Sequence, residues 1–283
     1  MANAIQKPLI LGIVADLFFI SKIEPIIERT GCSARWFDRI EDLIEGEDED
    51  EHQSTIRLSA RQKEALIDKI TTLLPVLIII DINHPGSTWQ AYLPLLKSDP
   101  ATRRIPVLVY GPHVQAEELS LAQDLGADIS LPRSKFLIQL SQIIEQQALI
   151  PDNNIMLDAC RASLSAKAIT GIEQFNQEEY FQAHEYLEQA WIEDDSEVRD
   201  LYRALVQAAV VCYQIERGNY IGARKMFLRL RQWLAWLPGE CRGIDIEKLR
   251  MDIDRIQTTF LALGPKRLRD FDRKELPKIS YHP

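Results

Sequence analysis

Two apolar runs that each lead to an aspartate constrain this chain more than any other feature. Val76-Leu77-Ile78-Ile79-Ile80 stops at Asp81, and the run from Leu9 to Val14 passes through Ala15 to Asp16. Runs that are apolar on both faces belong to parallel strands covered by helices on each side. Pro106-Val107-Leu108-Val109-Tyr110 and Ile129-Ser130-Leu131 read as two more strands, and Ser33-Ala34-Arg35-Trp36-Phe37 as a weaker fifth. Between them Ile20 to Thr30, Arg61 to Leu74 and Glu117 to Leu125 carry helical spacing. Strands alternating with helices in this way predict an α/β domain with a doubly wound five-stranded parallel sheet. Ligands of such a sheet gather at the carboxyl ends of the strands near the switch point. Asp16 and Asp81 end the first and third strands, so they should be neighbours there. Two carboxylates in one acidic pocket suit Mg²⁺, a hard cation that prefers oxygen.

The pattern changes after Gln146 to Asn154, which holds Pro151 and Asp152. From there the spacing predicts an all-α helical bundle, with helices over Leu157–Phe175, Glu178–Trp191, Ser196–Arg217, Tyr220–Leu237 and Ile246–Leu263 and no convincing strand. Tyr180, Ala183 and Leu187 recur forty residues later as Tyr220, Ala223 and Phe227, a repeated helix pair. The expected organisation is therefore an α/β domain over residues 1–148, a linker at 149–156, a helical domain over 157–264 and a tail at 265–283.

With Asp81, Asn83 and Pro85 after the third strand, Lys97-Ser98-Asp99-Pro100, Arg104-Ile105-Pro106-Val107 and Leu125-Gly126-Ala127-Asp128, residues 8 to 148 resemble the CheY-like receiver domain of response regulators. That resemblance implies a flavodoxin-like fold and a phosphoacceptor aspartate, which Asp81 matches. It also implies an acidic pair after the first strand, where this chain has Ala15-Asp16. A Ser or Thr is expected after the fourth strand, where Gly111 stands. A lysine is expected before a proline after the fifth, where Leu131 precedes Pro132 and Lys135 lies out of register. Phosphoryl transfer is mostly positioning and charge neutralisation, so losing three of these parts points to a pseudo-receiver.

In the helical half, His184-Glu185-x-x-Glu188-x-x-Trp191 lies on one helix, with His184 expected on the apolar stripe beside Tyr180, Leu187 and Trp191. Glu188 stands one turn beyond His184, within reach of a shared divalent metal or of a hydrogen bond. Gln207, inside the next apolar helix, could complete a buried polar network. A metalloprotease-type site would need a second histidine four residues away, and of five histidines only His184 and His282 fall in this half. The bland reading is a core histidine satisfied by Glu188 or Gln207. Phe175-Asn176, Tyr180-Phe181-x-Ala183-His184-Glu185, Leu205-Val206-Gln207 and Gly218-Asn219-Tyr220-x-Gly222-Ala223 together resemble the helical family known as domain of unknown function 309. That resemblance implies a metal-dependent hydrolase, with a divalent metal on His184 and Glu188 and with Glu185 as general base.

Charge and composition narrow the rest. With 33 Lys and Arg against 42 Asp and Glu, the chain carries a formal charge of -9, which argues against nucleic acid and anionic lipid as partners. The acidic segment Glu45 to Glu51 reads as a solvated insertion. Glu173 to Asp200 holds ten acids and one base, and Arg224 to Lys278 fourteen bases and eight acids. The basic stretch is the one place where a nucleic-acid face could lie. Leu9 to Ile20 is too short to span a bilayer and lacks the flanks of a signal peptide, and the four scattered cysteines read as reduced thiols, so the expected location is the cytoplasm. No Gly-rich phosphate loop, nucleophile elbow or dinucleotide fingerprint is present. The leading reading is a regulatory or adaptor protein without enzymatic activity, whose pseudo-receiver presents a docking or homodimer face and whose bundle binds a protein partner. The rival readings are the metal-dependent hydrolase and a phosphorelay response regulator phosphorylated on Asp81.

Overall fold

The structure, a computed structural model, describes residues 7–44, 58–83 and 88–282. The segment from Glu45 to Glu51 and Pro85 lie outside the described residues. The chain divides into two compact units, Met1–Ile150 and Pro151–Pro283.

The first unit alternates β1 (Leu9–Ile13), α1 (Leu17–Arg29), β2 (Ser33–Phe37), α2 (Ala60–Leu73), β3 (Leu77–Asp81), α3 (Trp89–Ser98), β4 (Val107–Gly111), α4 (Ala116–Asp124), β5 (Ile129–Pro132) and α5 (Arg133–Gln147). The strands are all parallel in the order β2-β1-β3-β4-β5, the flavodoxin-like arrangement expected from the sequence. Every residue of β3 and β4 is buried, so both faces of the sheet centre are covered. The outer strands β2 and β5 are half-buried, which is why their sequence signal is weaker. Ile23 and Ile27 of α1 and Phe136, Leu140 and Ile144 of α5 are buried in this core. The chain order reverses between β1 and β3, and Asp16 and Asp81 stand at that point.

The second unit holds α6 (Asn153–Ala159), α7 (Ala166–Asn176), α8 (Tyr180–Glu193), α9 (Asp200–Glu216), α10 (Tyr220–Leu234), β6 (Glu240–Cys241), β7 (Ile244–Asp245) and α11 (Ile246–Arg267). Three details depart from the sequence expectation. The single helix expected over 157–175 is broken into α6 and α7, because the Ser165 side chain accepts from the Ala168 N–H at 3.2 Å and starts a new helix. A two-residue antiparallel hairpin, β6 with β7, stands where no strand was expected. Residues 265–283 are not a loose tail, since Leu268, Phe271, Leu276 and Ile279 are buried in the helical core. The Asn176 side chain holds them there, donating to the Ile279 carbonyl at 2.9 Å and accepting from its N–H at 2.8 Å.

The helix-pair repeat is real in the backbone. Glu178 and Gly218, forty residues apart, both turn left-handed, with φ of 70° and 68°. The flanking bonds match as well: the Glu179 N–H donates to the Gln174 carbonyl and the Asn219 N–H to the Gln214 carbonyl, each at 2.9–3.0 Å. Such a closure satisfies carbonyls left free at a helix end. Within the first pair, a Cβ on Gly171 would lie 2.7 Å from Leu187, so glycine lets α7 and α8 approach closely.

The cysteine expectation is corrected. Cys160 and Cys241 form a disulfide, while Cys32 and Cys212 are free and buried. The two bonded residues lie 81 positions apart with no pairing motif, and the fold of α7 to α10 is what brings them together. Disulfides persist mainly in oxidising compartments, so the cysteines give no support to a cytoplasmic location. No helix among the described residues is long and apolar enough to cross a membrane.

Closing a loop of this length stabilises the folded chain by about 4 kcal/mol on the loop-entropy estimate. Replacing both residues, Cys160→Ser with Cys241→Ser, is expected to lower urea-unfolding stability by roughly that amount. Dithiothreitol should move the unmodified protein to the same midpoint and leave the double variant unchanged. A midpoint in the unmodified protein that ignores the reductant would show the bond does not form.

Candidate functional site

At the carboxyl edge of the sheet, the β3–β4 register sets Asp81 beside Tyr110, and Asp16 caps α1 by accepting from the Phe19 N–H at 3.0 Å. The two carboxylates meet on Arg133, the first residue of α5. Its Nη2 lies 2.7 Å from Asp16 Oδ2 and 3.6 Å from Asp81 Oδ2. The guanidinium also lies 3.9 Å from the centre of the Phe19 ring, and Tyr110 stacks on Phe136 at 4.3 Å beneath it. The remaining Asp81 oxygen accepts from the Asn83 N–H at 2.9 Å. The Phe19 N–H and then the Arg133 guanidinium hold the Asp16 carboxyl below its usual range. Burial and then the Asp81 charge push the Tyr110 hydroxyl far upward, so it stays protonated.

This geometry corrects two expectations. The fixed cation is present after all, supplied by Arg133 rather than by Lys135, whose side chain is exposed. Arg133 follows Pro132 by one residue and begins α5, whereas the receiver resemblance places the cation before the proline. The Mg²⁺ assigned to Asp16 and Asp81 does not fit this donor set. One oxygen of each carboxylate is committed to a backbone N–H, the others face a guanidinium, and the second acid of the pair is Ala15. The missing hydroxyl has a steric cause. A Cβ on Gly111 would lie 2.5 Å from the buried Ile82 side chain, which fills the place a Ser or Thr would need.

On α8 the buried stripe is Tyr180, Ala183, Leu187 and Ala190. His184 is half-buried beside that stripe rather than on it, which corrects the first reading. Phe181, His184, Glu185, Glu188 and Ile192 follow helical spacing along the outer face, with Phe181 and Ile192 exposed. Trp191 lies near Arg203, 4.6 Å from ring centre to guanidinium, and Phe181 near Tyr213 at 5.9 Å, so α8 and α9 run antiparallel. The expected network does not close: His184 has no hydrogen bond among the described residues, and Gln207 Oε1 and Trp191 Nε1 are buried without a partner. Nor does any group of three His, Cys, Asp or Glu side chains able to hold a metal occur among the described residues. His184 and Glu188, one helical turn apart, supply two donors, one fewer than such a site requires.

A polar cluster that sequence reading missed lies beside the disulfide. Arg242 is almost fully buried, takes a left-handed φ of 52°, and ion-pairs with Asp194. It also donates to the Tyr202 hydroxyl and to Ser196 Oγ, both at 2.7 Å. Burial pushes the Asp194 carboxyl up, but the Ser196 and Arg242 hydrogen bonds outweigh it and leave it below its usual range. The cluster fastens the α8–α9 loop to the β6–β7 hairpin. Its members lie 48 positions apart with no local motif to betray them.

A family model described as "Domain of unknown function (DUF309)" matches residues 169–226. An uncharacterized protein of Aquifex aeolicus (strain VF5) is 25% identical over 96 residues, 34% of this chain and 29% of that protein. The match thus spans under a third of that relative's length. Among solved structures, a putative response regulator from Chloroflexus aurantiacus J-10-fl is similar at 14% identity and a TM-score of 0.37, over 50% of this chain and 100% of that one. A response regulator receiver domain from Rhodospirillum rubrum is similar at 25% identity and a TM-score of 0.33, over 48% and 89%. The chain folds as a flavodoxin-like α/β unit followed by a helical unit, and the segment matched by the family model lies within the latter.

Two outcomes follow from these contacts. Arg133→Gln leaves two neighbouring carboxylates without a cation and is expected to cost about 1–2 kcal/mol, reduced from the fully buried case because the guanidinium is partly exposed. Millimolar Mg²⁺ should then raise the variant's thermal midpoint while leaving that of the unmodified protein in place. Because the Asp194 carboxyl is depressed in the folded state, its stabilisation is present above the ordinary carboxylate range, near 3.8, and is lost as pH falls through the depressed value. Asp194→Asn should flatten that acid limb of a stability–pH curve, and an unchanged limb would remove Asp194 from the account.

Proposed function

We propose that this protein is a regulatory adaptor whose receiver-type unit works without a phosphoryl switch. The observation that carries the reading is Arg133 bridging Asp16 and Asp81. The cation that neutralises the acidic pocket is part of the chain and does not come and go with a phosphoryl group. Phosphoryl transfer requires neutralisation by a metal bridging the incoming phosphate, and here the guanidinium holds that position. The switch hydroxyl is replaced by Gly111 with Ile82 packed against it, so the pocket has no group to move in response to a phosphate.

The buried sheet is retained as a rigid platform, and the helical unit is the part that engages a protein partner. In support, the outer face of α8 mixes exposed apolar side chains, Phe181 and Ile192, with Glu185 and Glu188, a composition suited to a partner with a complementary basic surface. The segment matched by the family model, residues 169–226, contains the whole of this helix.

Incubation with acetyl phosphate and Mg²⁺ is expected to leave the intact mass and the oligomeric state unchanged. Stoichiometric phosphorylation of Asp81 with a change of oligomeric state would overturn the proposal and favour a phosphorelay regulator.

A further inference from the structure

The repeat in the helical unit gives α8 and α10 equivalent places, so their outward residues can be compared one for one at the forty-residue offset. Tyr180 and Tyr220 each open a helix and turn towards the core, the first fully buried and the second partly so. The next residue looks outward in both helices: Phe181 is 51% exposed and Ile221 68%. One turn further on stand Glu185 and Lys225, both exposed and neither held by an ion pair among the described residues. Residues four apart lie one above the other on a helix face. The two helices thus present the same apolar position and, at the same spacing from it, opposite charges.

The charge around each face follows the same division. Glu173 to Asp200, with ten acids and one base, surrounds α8, and the stretch of fourteen bases and eight acids from Arg224 to Lys278 begins on α10. At a net charge of -9 two copies repel at long range, so an acidic face of one is drawn to another only where bases are concentrated. Laying α8 of one copy parallel to α10 of a second puts apolar on apolar and acid on base at once. Two-fold symmetry then forms the same contact twice, which brings the buried area towards the roughly 800 Å² per partner of a standard interface. We infer that the helical unit forms a two-fold dimer in which α8 of each copy packs on α10 of the other, Phe181 against Ile221 and Glu185 against Lys225. This rests on the reading that the outer face of α8 engages a basic protein partner, and it identifies that partner as a second copy of this chain.

The test is sedimentation equilibrium of the full-length protein over a range of concentrations. The unmodified chain should reach the mass of a dimer and stop there. Glu185→Lys and, separately, Lys225→Glu set like charges against each other at both contacts, and each should weaken the dimer at least about tenfold. Mixed one to one, the two variants should associate again, because every contact then pairs opposite charges. Both side chains are exposed, so each variant should unfold at the midpoint of the unmodified protein. Glu173→Lys, an exposed acid on α7, is the control and should leave the dimer intact. A monomer at every concentration would overturn the inference and hand the α8 face to a different basic protein, while the adaptor reading itself falls only on phosphorylation of Asp81. Growth beyond a dimer would overturn the closed two-fold arrangement. Failure of the mixed variants to associate, or an equal loss in Glu173→Lys, would overturn the pairing of Glu185 with Lys225.

Discussion

Two carboxylates brought together at the edge of a buried sheet demand a positive charge, and the way this chain supplies one governs the rest of its first unit. The position of Asp16 and Asp81 is not negotiable. β1 and β3 are adjacent central strands, buried on both faces, and a change of register would expose their apolar residues. The counter-charge could have been left to a soluble cation. Instead Arg133 starts α5 immediately after β5, where the helix must begin if it is to pack Phe136, Leu140 and Ile144 against the sheet. The Phe19 ring under the guanidinium and the Asp16 side chain that caps α1 fix it further, so the ends of β1, β3 and β5 are tied through one side chain.

The helical unit solves a different problem. Its two helix pairs are alike, each turned through a left-handed residue after the first helix, at Glu178 and at Gly218. Two such pairs are too few to cover a continuous core by stacking alone. The hairpin, α11 and the segment to Ile279 close the core instead. Asn176 pairs with Ile279, Arg242 reaches Asp194, and Cys160 bonds to Cys241. All three closures join residues that are far apart in the chain. They define where the unit ends far better than the last periodic helix does.

That contrast explains what could be read from the sequence. Buried β-branched runs and helical periodicity report burial directly, because each residue's environment repeats at a fixed spacing. The strand order, the helical half and the repeat were therefore legible, down to the forty-residue offset. Asp16 and Asp81 were legible as neighbours because topology alone brings strand ends together. Arg133, Arg242 and the disulfide were not, since each depends on a side chain reaching across the fold from a position with no local signature. His184 illustrates the opposite error. Its spacing from Tyr180 and Leu187 suggested the core stripe, yet the buried positions are Ala183 and Leu187. His184, one step round the helix from Ala183, is half-buried at the edge of that stripe, a rotation of about 100° that a short apolar pattern does not resolve.

Gly111 shows why the loss of a switch is more than the loss of a group. A glycine at that position could be taken as a site where a hydroxyl was deleted and the rest left intact. Ile82, the residue after Asp81, has instead packed so close that a Cβ there would meet it at 2.5 Å, and it is itself buried. Interiors are packed closely enough that such a side chain can move only if its neighbours do. The volume beside Gly111 is thus part of the hydrophobic core, just as the cation facing the two carboxylates is part of α5. A hydroxyl introduced at Gly111 would therefore have to displace Ile82. The same contacts, Arg133 on the two carboxylates and Ile82 against Gly111, hold the carboxyl edge of the first unit together.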